Sequence, residues 1–156
     1  MTQYNYVYQG YEPSKMARAV SLHVGISPKQ AKEICSFIKH KKLDDAKKIL
    51  NNVLAMKQAI PYKRYNKDIP HRPGMMAGRY PQNASAAILK LLESVEMNAK
   101  QKNINNIFIT HISAHRAPPG RRAGRVAGEA KRAHIEVVVE EKKIEKKHYT
   151  PRKKTK

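Results

Sequence analysis

The sequence predicts an α+β fold: a two-layer β-α-α-α-β-β domain in which a three-stranded antiparallel sheet packs on three helices and a long β-hairpin protrudes. Residues 31–38, 46–54 and 84–95 carry three apolar stripes at helical spacing. One alternating segment precedes these stripes and two β-branched runs follow them, so one layer of helices can cover one sheet. Between the last two runs, residues 114–133 hold Arg116, Arg121, Arg122, Arg125, Lys131 and Arg132 against one acid, Glu129. That stretch has almost no large apolar side chain and cannot build a core of its own. It reads as the arm of a hairpin whose base is packed.

The first strand is read at 15–24, where Arg18, Val20, Leu22 and Val24 alternate with Ala17, Ala19, Ser21 and His23. Gly25 follows, and Ser27-Pro28 opens a helix, with Ser27 as N-cap and Pro28 at the first helical position. Ala31, Ile34, Cys35 and Ile38 form its buried face, with Lys29, Lys32 and Lys39 off it. Cys35, set among apolar residues, reads as core. A second helix starts near Asp44 and Asp45, which favour its positive end, and buries Ala46, Ile49, Leu50, Val53 and Leu54. The third starts at Asn83 as N-cap and repeats through Ala84, Ala87, Ile88, Leu91, Leu92 and Val95. The hairpin base is 107–112 paired with 134–139. With roughly ten residues a side at about 3.3 Å each, the arm reaches on the order of 30 Å.

Four segments do not belong to this frame. Residues 1–14 form an N-terminal extension with Tyr4, Tyr6, Tyr8 and Tyr11 and no apolar periodicity. It reads either as an unstructured tail or as an extended segment whose rings stack on unpaired bases. Residues 61–82 interleave Pro, Tyr and Arg without periodicity. This suits a contact loop that orders on RNA better than a spacer, with Met75-Met76 as a possible anchor to the core. Gly120, Gly124 and Gly128 recur every fourth residue; the arginines between them exclude a lipid setting. Small residues there let the arm backbone approach a crowded RNA surface, or simply loosen a hairpin tip. Residues 142–156 are a basic tail, disordered when free, compatible with a localisation signal, a phosphate-binding tail or a solubiliser.

Charge decides the class of partner. The 156 residues include 32 Lys+Arg and 12 Asp+Glu, a formal net charge of +20. A solvated surface normally mixes both signs, so this excess calls for a polyanion. A membrane surface is the competing account. The N-terminus offers neither an amphipathic basic helix nor a lipidation signal, and no apolar run approaches transmembrane or signal-peptide length. One cysteine excludes an intrachain disulfide and fits a reducing, cytoplasmic setting.

The residues suggest no enzyme, cofactor or metal. There is no P-loop or strand-linked GxGxxG, and nothing brings two carboxylates or a Ser/His/Asp set together. His111 and His115 would lie on one strand face about 13 Å apart, too far to share an ion. His115, beside Arg116, reads as a base or phosphate contact. The other binding class is an architectural DNA-bending protein, whose basic β-ribbon arm would wedge Pro118-Pro119 between base pairs. Against it stand the lack of an obvious dimerisation core and the Tyr-Arg interleaving of 61–82, which suits unpaired RNA.

Several segments together resemble a known family. They are Ser27-Pro28-Lys29-Gln30-Ala31, Pro61-Tyr62-Lys63-Arg64-Tyr65-Asn66 and Gly78-Arg79-Tyr80-Pro81. The most specific is Arg116-Ala117-Pro118-Pro119-Gly120-Arg121-Arg122-Ala123-Gly124-Arg125, closing through Ala133-His134-Ile135-Glu136-Val137-Val138-Val139. Over residues 12–141 the chain resembles the L-twenty-two (universal uL-twenty-two) family of large-subunit ribosomal proteins in its archaeal form. Segment 61–82 resembles an insertion that bacterial members mostly lack.

The resemblance implies a globular domain, 15–141, near the exit of the polypeptide tunnel. It implies a hairpin that penetrates the large subunit, contacts several rRNA domains and lines part of the tunnel. Assembly of the subunit, without catalysis, is the implied role. The expected rRNA-binding residues are Arg18; Lys63, Arg64, Tyr65, His71, Arg72, Arg79 and Tyr80 in the insertion; and His115, Arg116, Arg121, Arg122, Arg125, Lys131 and Arg132 in the arm. The tunnel-lining tip would run through Pro118, Pro119, Gly120, Arg121, Arg122, Ala123, Gly124 and Arg125. Implied partners are large-subunit rRNA, neighbouring large-subunit proteins and the nascent polypeptide, with no membrane anchor. The implied location is the cytoplasm, in the large ribosomal subunit.

Overall fold

The computed structural model describes residues 4–124 and 128–141. Strand β1 (Met16–Val24) precedes helices α1 (Pro28–Ile38) and α2 (Leu43–Leu54). Three short strands follow: β2 (Ile60–Pro61), β3 (His71–Arg72) and β4 (Met75–Arg79). Helix α3 (Gln82–Gln101) then leads to the hairpin strands β5 (Ile107–Arg121) and β6 (Glu129–Glu141). The main sheet is antiparallel with order β1-β6-β5, as the α+β reading requires.

One face of this sheet is packed by helices. Ala17, Ile109, Ile112, Ala114, Ile135, Val137 and Val139 join Ile34, Ile38, Leu50, Ile88 and Leu92 in a single buried cluster. Helices α1 and α3 lie on the sheet, and α2 packs chiefly on α3. Glu96 ties α2 to α3 by pairing with Lys47, and with Lys100 at 2.9 Å. Hydrogen bonds from these two lysines hold the Glu96 carboxyl below its ordinary pKa.

The register of β5 is set by a bulge. Ile109 faces Val139 and His111 faces Val138, so Thr110 is the extra residue. The insertion moves the inward row from Ile109 to Ile112 and Ala114, keeping both halves of the strand on the core. A second irregularity lies between Ala117 and Gly120, where Pro118 and Pro119 have no N–H for the ladder. The edge of β5 is not bare at its base: His40 N–H donates to the Ile109 carbonyl at 2.9 Å, and Ile109 N–H to Lys41 at 3.0 Å.

Helix starts differ in detail from the sequence expectation. Ser27 occupies the N-cap of α1, but its side chain makes no capping bond, leaving Pro28 with its preset φ to open the helix. Helix α3 begins at Gln82, with Pro81 rather than Asn83 at the N-cap. The Pro81 carbonyl already accepts Ser85 N–H at 2.9 Å, and the Gln82 side chain donates to the Leu54 carbonyl at 3.0 Å, which fixes the earlier start.

Segment 61–82 is not a loop without regular structure. It folds as a small antiparallel sheet with order β2-β4-β3, in which Pro73-Gly74 makes the β3–β4 turn and Gly74 takes φ +71°. Gly78 sits close beneath its neighbours: a Cβ there would lie 2.7 Å from Met75 Sδ and 2.9 Å from Arg72 Cγ. Met76 is 87% exposed, so it does not anchor the segment to the core.

The tyrosine-rich extension is also packed on the domain over its described part. Val7 N–H donates to Glu136 Oε2 at 3.1 Å and the Tyr4 hydroxyl to the same oxygen at 3.3 Å. Burial, then the Glu136 charge, raises the Tyr4 pKa, keeping that hydroxyl a donor. Glu136 and Val138 lie on the sheet face away from the helices, and both are fully buried. The basic tail expected at 142–156 lies outside the described residues.

Candidate nucleic-acid interface

The site begins with an acid. Glu33 on α1 is buried, and its carboxylate accepts three successive backbone N–H groups across the chain. Lys63 N–H donates to Oε2 at 3.1 Å, while Arg64 and Tyr65 donate to Oε1 at 3.0 and 2.7 Å. With its acceptor sites filled by the backbone, Glu33 holds the turn at 63–65 against α1 and leaves those side chains exposed or half-exposed.

The result is a groove of about 390 Å³ between α1, the insertion and the edge strand β5. Lys32 and Lys39 border it from α1, Lys63, Arg64 and Tyr65 from the insertion, and Ser113 and His115 from β5. The Lys32 ammonium lies 5.8 Å and the Arg64 guanidinium 5.4 Å from the Tyr65 ring centroid. A flat ring flanked by cations is suited to a base with its phosphates. His115 Nε2 is 2.8 Å from Ser113 Oγ, which donates to Glu136 Oε1 at 2.9 Å; His111 Nε2 lies 3.0 Å from the same oxygen.

The arm continues this basic surface. A smaller cavity of about 330 Å³ at its foot is bordered by Lys29 of α1 and by Arg116, Lys131 and Arg132. Arg121 and Arg122 lie further out and are exposed. Gly120 fits beneath Arg132: a Cβ there would meet the guanidinium at 2.7 Å. Among the described residues, none of the groove or arm cations forms an ion pair with a carboxylate.

The expected contact residues therefore fall into groups. Lys63, Arg64, Tyr65 and His115 converge on the groove, and Arg116, Lys131 and Arg132 on the arm's foot. His71, Arg72, Arg79 and Tyr80 belong to the small sheet, where His71 is exposed but Arg72 stacks over Tyr80 at 5.5 Å. Arg18 stands apart. Its guanidinium lies 4.3 Å from the ring centroids of both Tyr6 and Tyr11, an internal engagement that holds the extension on the sheet. Pro118, Pro119, Gly120 and Arg121 belong to the paired strand β5, so the turn itself begins at Arg122 and includes Ala123 and Gly124, whose φ is +113°. Arg125 lies outside the described residues.

Sequence reasoning missed Glu33, Glu136 and the part played by Lys32 and Lys39. Glu33 lies off the apolar face of α1 and is buried only because the insertion folds over it, which no local pattern announces. Glu136 had a signal: in the unbroken run Val137-Val138-Val139, Val138 points away from the helices, implying that the second face is also covered. Cys35 is core, its thiol pushed up to about 12 by burial. Among the described residues no group of three His, Cys, Asp or Glu is placed to hold a metal, and no helix is long and apolar enough to cross a membrane.

The sequence profile described as Ribosomal protein L22p/L17e matches residues 19–140. The large ribosomal subunit protein uL22 of Archaeoglobus fulgidus is 41% identical over 121 residues, covering 74% of this chain and 78% of that protein. The uL22 proteins of Staphylothermus marinus and Methanococcus aeolicus are 36% and 39% identical, each covering 90% of this chain and 99% of their own length. With its fold, its basic hairpin and these matches, the chain belongs to the ribosomal protein L22p/L17e family.

Proposed function

We propose that the chain is a structural constituent of the large ribosomal subunit that binds and stabilises large-subunit rRNA during assembly. The hairpin lines the polypeptide exit tunnel, where the nascent chain passes it, and the globular part lies near the tunnel exit. The observation that carries this reading is the set of cations on the groove and arm that have no acidic partner among the described residues. Such an excess of unpaired positive charge favours a polyanionic partner, and counterion release supplies the affinity.

Within this reading Tyr65, Arg64, Lys63 and His115 hold an unpaired segment of RNA at the groove. Arg116, Arg121, Arg122, Arg125, Lys131 and Arg132 neutralise phosphates of several rRNA domains packed around the arm. His71 and Arg79 are further contacts from the small sheet. The protein acts in the cytoplasm by position and charge, without turnover.

Sedimentation of a lysate in low and then high salt tests this. The chain is expected to travel with the large subunit and to survive a high-salt wash, because an embedded arm dissociates only when the surrounding RNA opens. A chain that runs free, or with chromosomal DNA, would refute the assignment.

A further inference from the structure

A second cavity, of about 660 Å³, shares only Lys63 with the basic groove. Its walls are mainly apolar, through Phe37, Pro61, Met75, Met76 and Ala77, with the polar Gln58 also lining it. Met76, at 87% exposure, is an apolar side chain offered to solvent on a chain of net charge +20. Among the described residues, the charged ones at the cavity are Lys63 and Lys67, and no acid lines it. Tyr62 also lines it; this residue is 4% exposed, and its hydroxyl is buried without a hydrogen-bond partner. Burial first, and the Glu33 charge second, push the phenol up to about 12, so the group stays protonated.

From this combination we infer a protein-docking site: the cavity takes an apolar side chain from a neighbouring large-subunit protein, carried on a segment that also bears Asp or Glu. The inference rests on the ribosomal reading above. Methionine walls adapt to an inserted aliphatic or aromatic group, and Met and aromatic residues are enriched where protein surfaces meet. The acidic groups pair with Lys63 and Lys67. RNA fits less well. The Tyr62 ring is buried, and no arginine among the described residues lines the cavity to stack on a base or grip a phosphate. The groove on the other side of Lys63 has the exposed Arg64 and the half-exposed Tyr65 ring.

The test places a photoreactive benzoylphenylalanine at Met76 of the full chain, in cells where this chain replaces the resident copy. The same probe at Met97 of α3, 68% exposed, is the control. Large subunits are isolated on a gradient, irradiated, and digested with ribonuclease and protease. The expected result is a ribonuclease-resistant adduct from position 76, on a peptide whose apolar residue has Asp or Glu nearby. Adding Lys67→Glu should lower its yield roughly fivefold or more, as like charges are brought together. An adduct on rRNA, an adduct on a segment without acids, no adduct, or a yield indifferent to Lys67→Glu would each overturn the docking site while the chain still sediments with the subunit. Absence of the chain from the large-subunit peak would overturn the ribosomal reading and the docking site with it.

Discussion

Glu33 accepts hydrogen bonds from the backbone of Lys63, Arg64 and Tyr65, and so converts a Pro- and Tyr-rich segment into a turn of defined shape. Glu33→Ala leaves three donors without that acceptor, at a cost of roughly 1–3 kcal/mol in the free protein. The expected outcome is faster amide exchange at 63–65 and weaker binding to large-subunit rRNA. Unchanged exchange at those amides would show that the carboxylate does not hold the turn. Glu136 acts on the opposite face of the sheet. Its burial opposes ionisation, but bonds from Val7 N–H, the Ser113 hydroxyl and His111 outweigh it and leave the carboxyl below its ordinary pKa. A lowered folded pKa means that its contribution is present above the ordinary carboxylate range and is lost as pH falls through the lowered value. Urea midpoints recorded between pH ~2 and ~6 should therefore fall with acid more steeply for the native chain than for Glu136→Gln. Parallel curves would remove Glu136 from the acid limb.

At the scale of elements, the hairpin divides in two. Its base shares the core through Ile109, Ile112, Ala114, Ile135 and Val137, whereas Arg121 and Arg122 make no contribution to that core. Replacing Arg121, Arg122 and Arg125 by alanine should thus leave the unfolding midpoint of the free chain within ~0.5 kcal/mol of native. Incorporation into large subunits should fall sharply, read as the share of the chain in the subunit peak of a gradient. Normal incorporation of a folded triple variant would deny the arm its role. Much of this division was legible in the chain. β-branched runs marked the base, and a stretch too poor in apolar residues for a core marked the arm. The bulge at Thr110 was not legible, because an extra residue in one strand is defined only by its partner's register. Nor was the small β2-β4-β3 sheet, whose strands are too short to show any period.

For the whole molecule, charge and core are separate. The helices and the inner sheet face supply the packing, and the groove and the arm carry cations without a carboxylate partner among the described residues. Binding to large-subunit rRNA fragments should accordingly weaken steeply with salt. With about six phosphates neutralised, the log–log slope is expected near −4 to −5. A slope near zero would place the affinity in apolar contacts instead.

The chain alone determined the three helices, the order of the main strands, and the arm with its excess of positive charge, since each depends on local periodicity or on net charge. Only the tertiary structure decided where isolated polar residues went. Glu33 and Glu136 became buried, Arg18 was drawn between Tyr6 and Tyr11, and Lys32 and Lys39 of α1 met Lys63 and Arg64 of the insertion. These placements depend on contacts between residues far apart in sequence, and a single polar side chain has no period from which such a contact can be read.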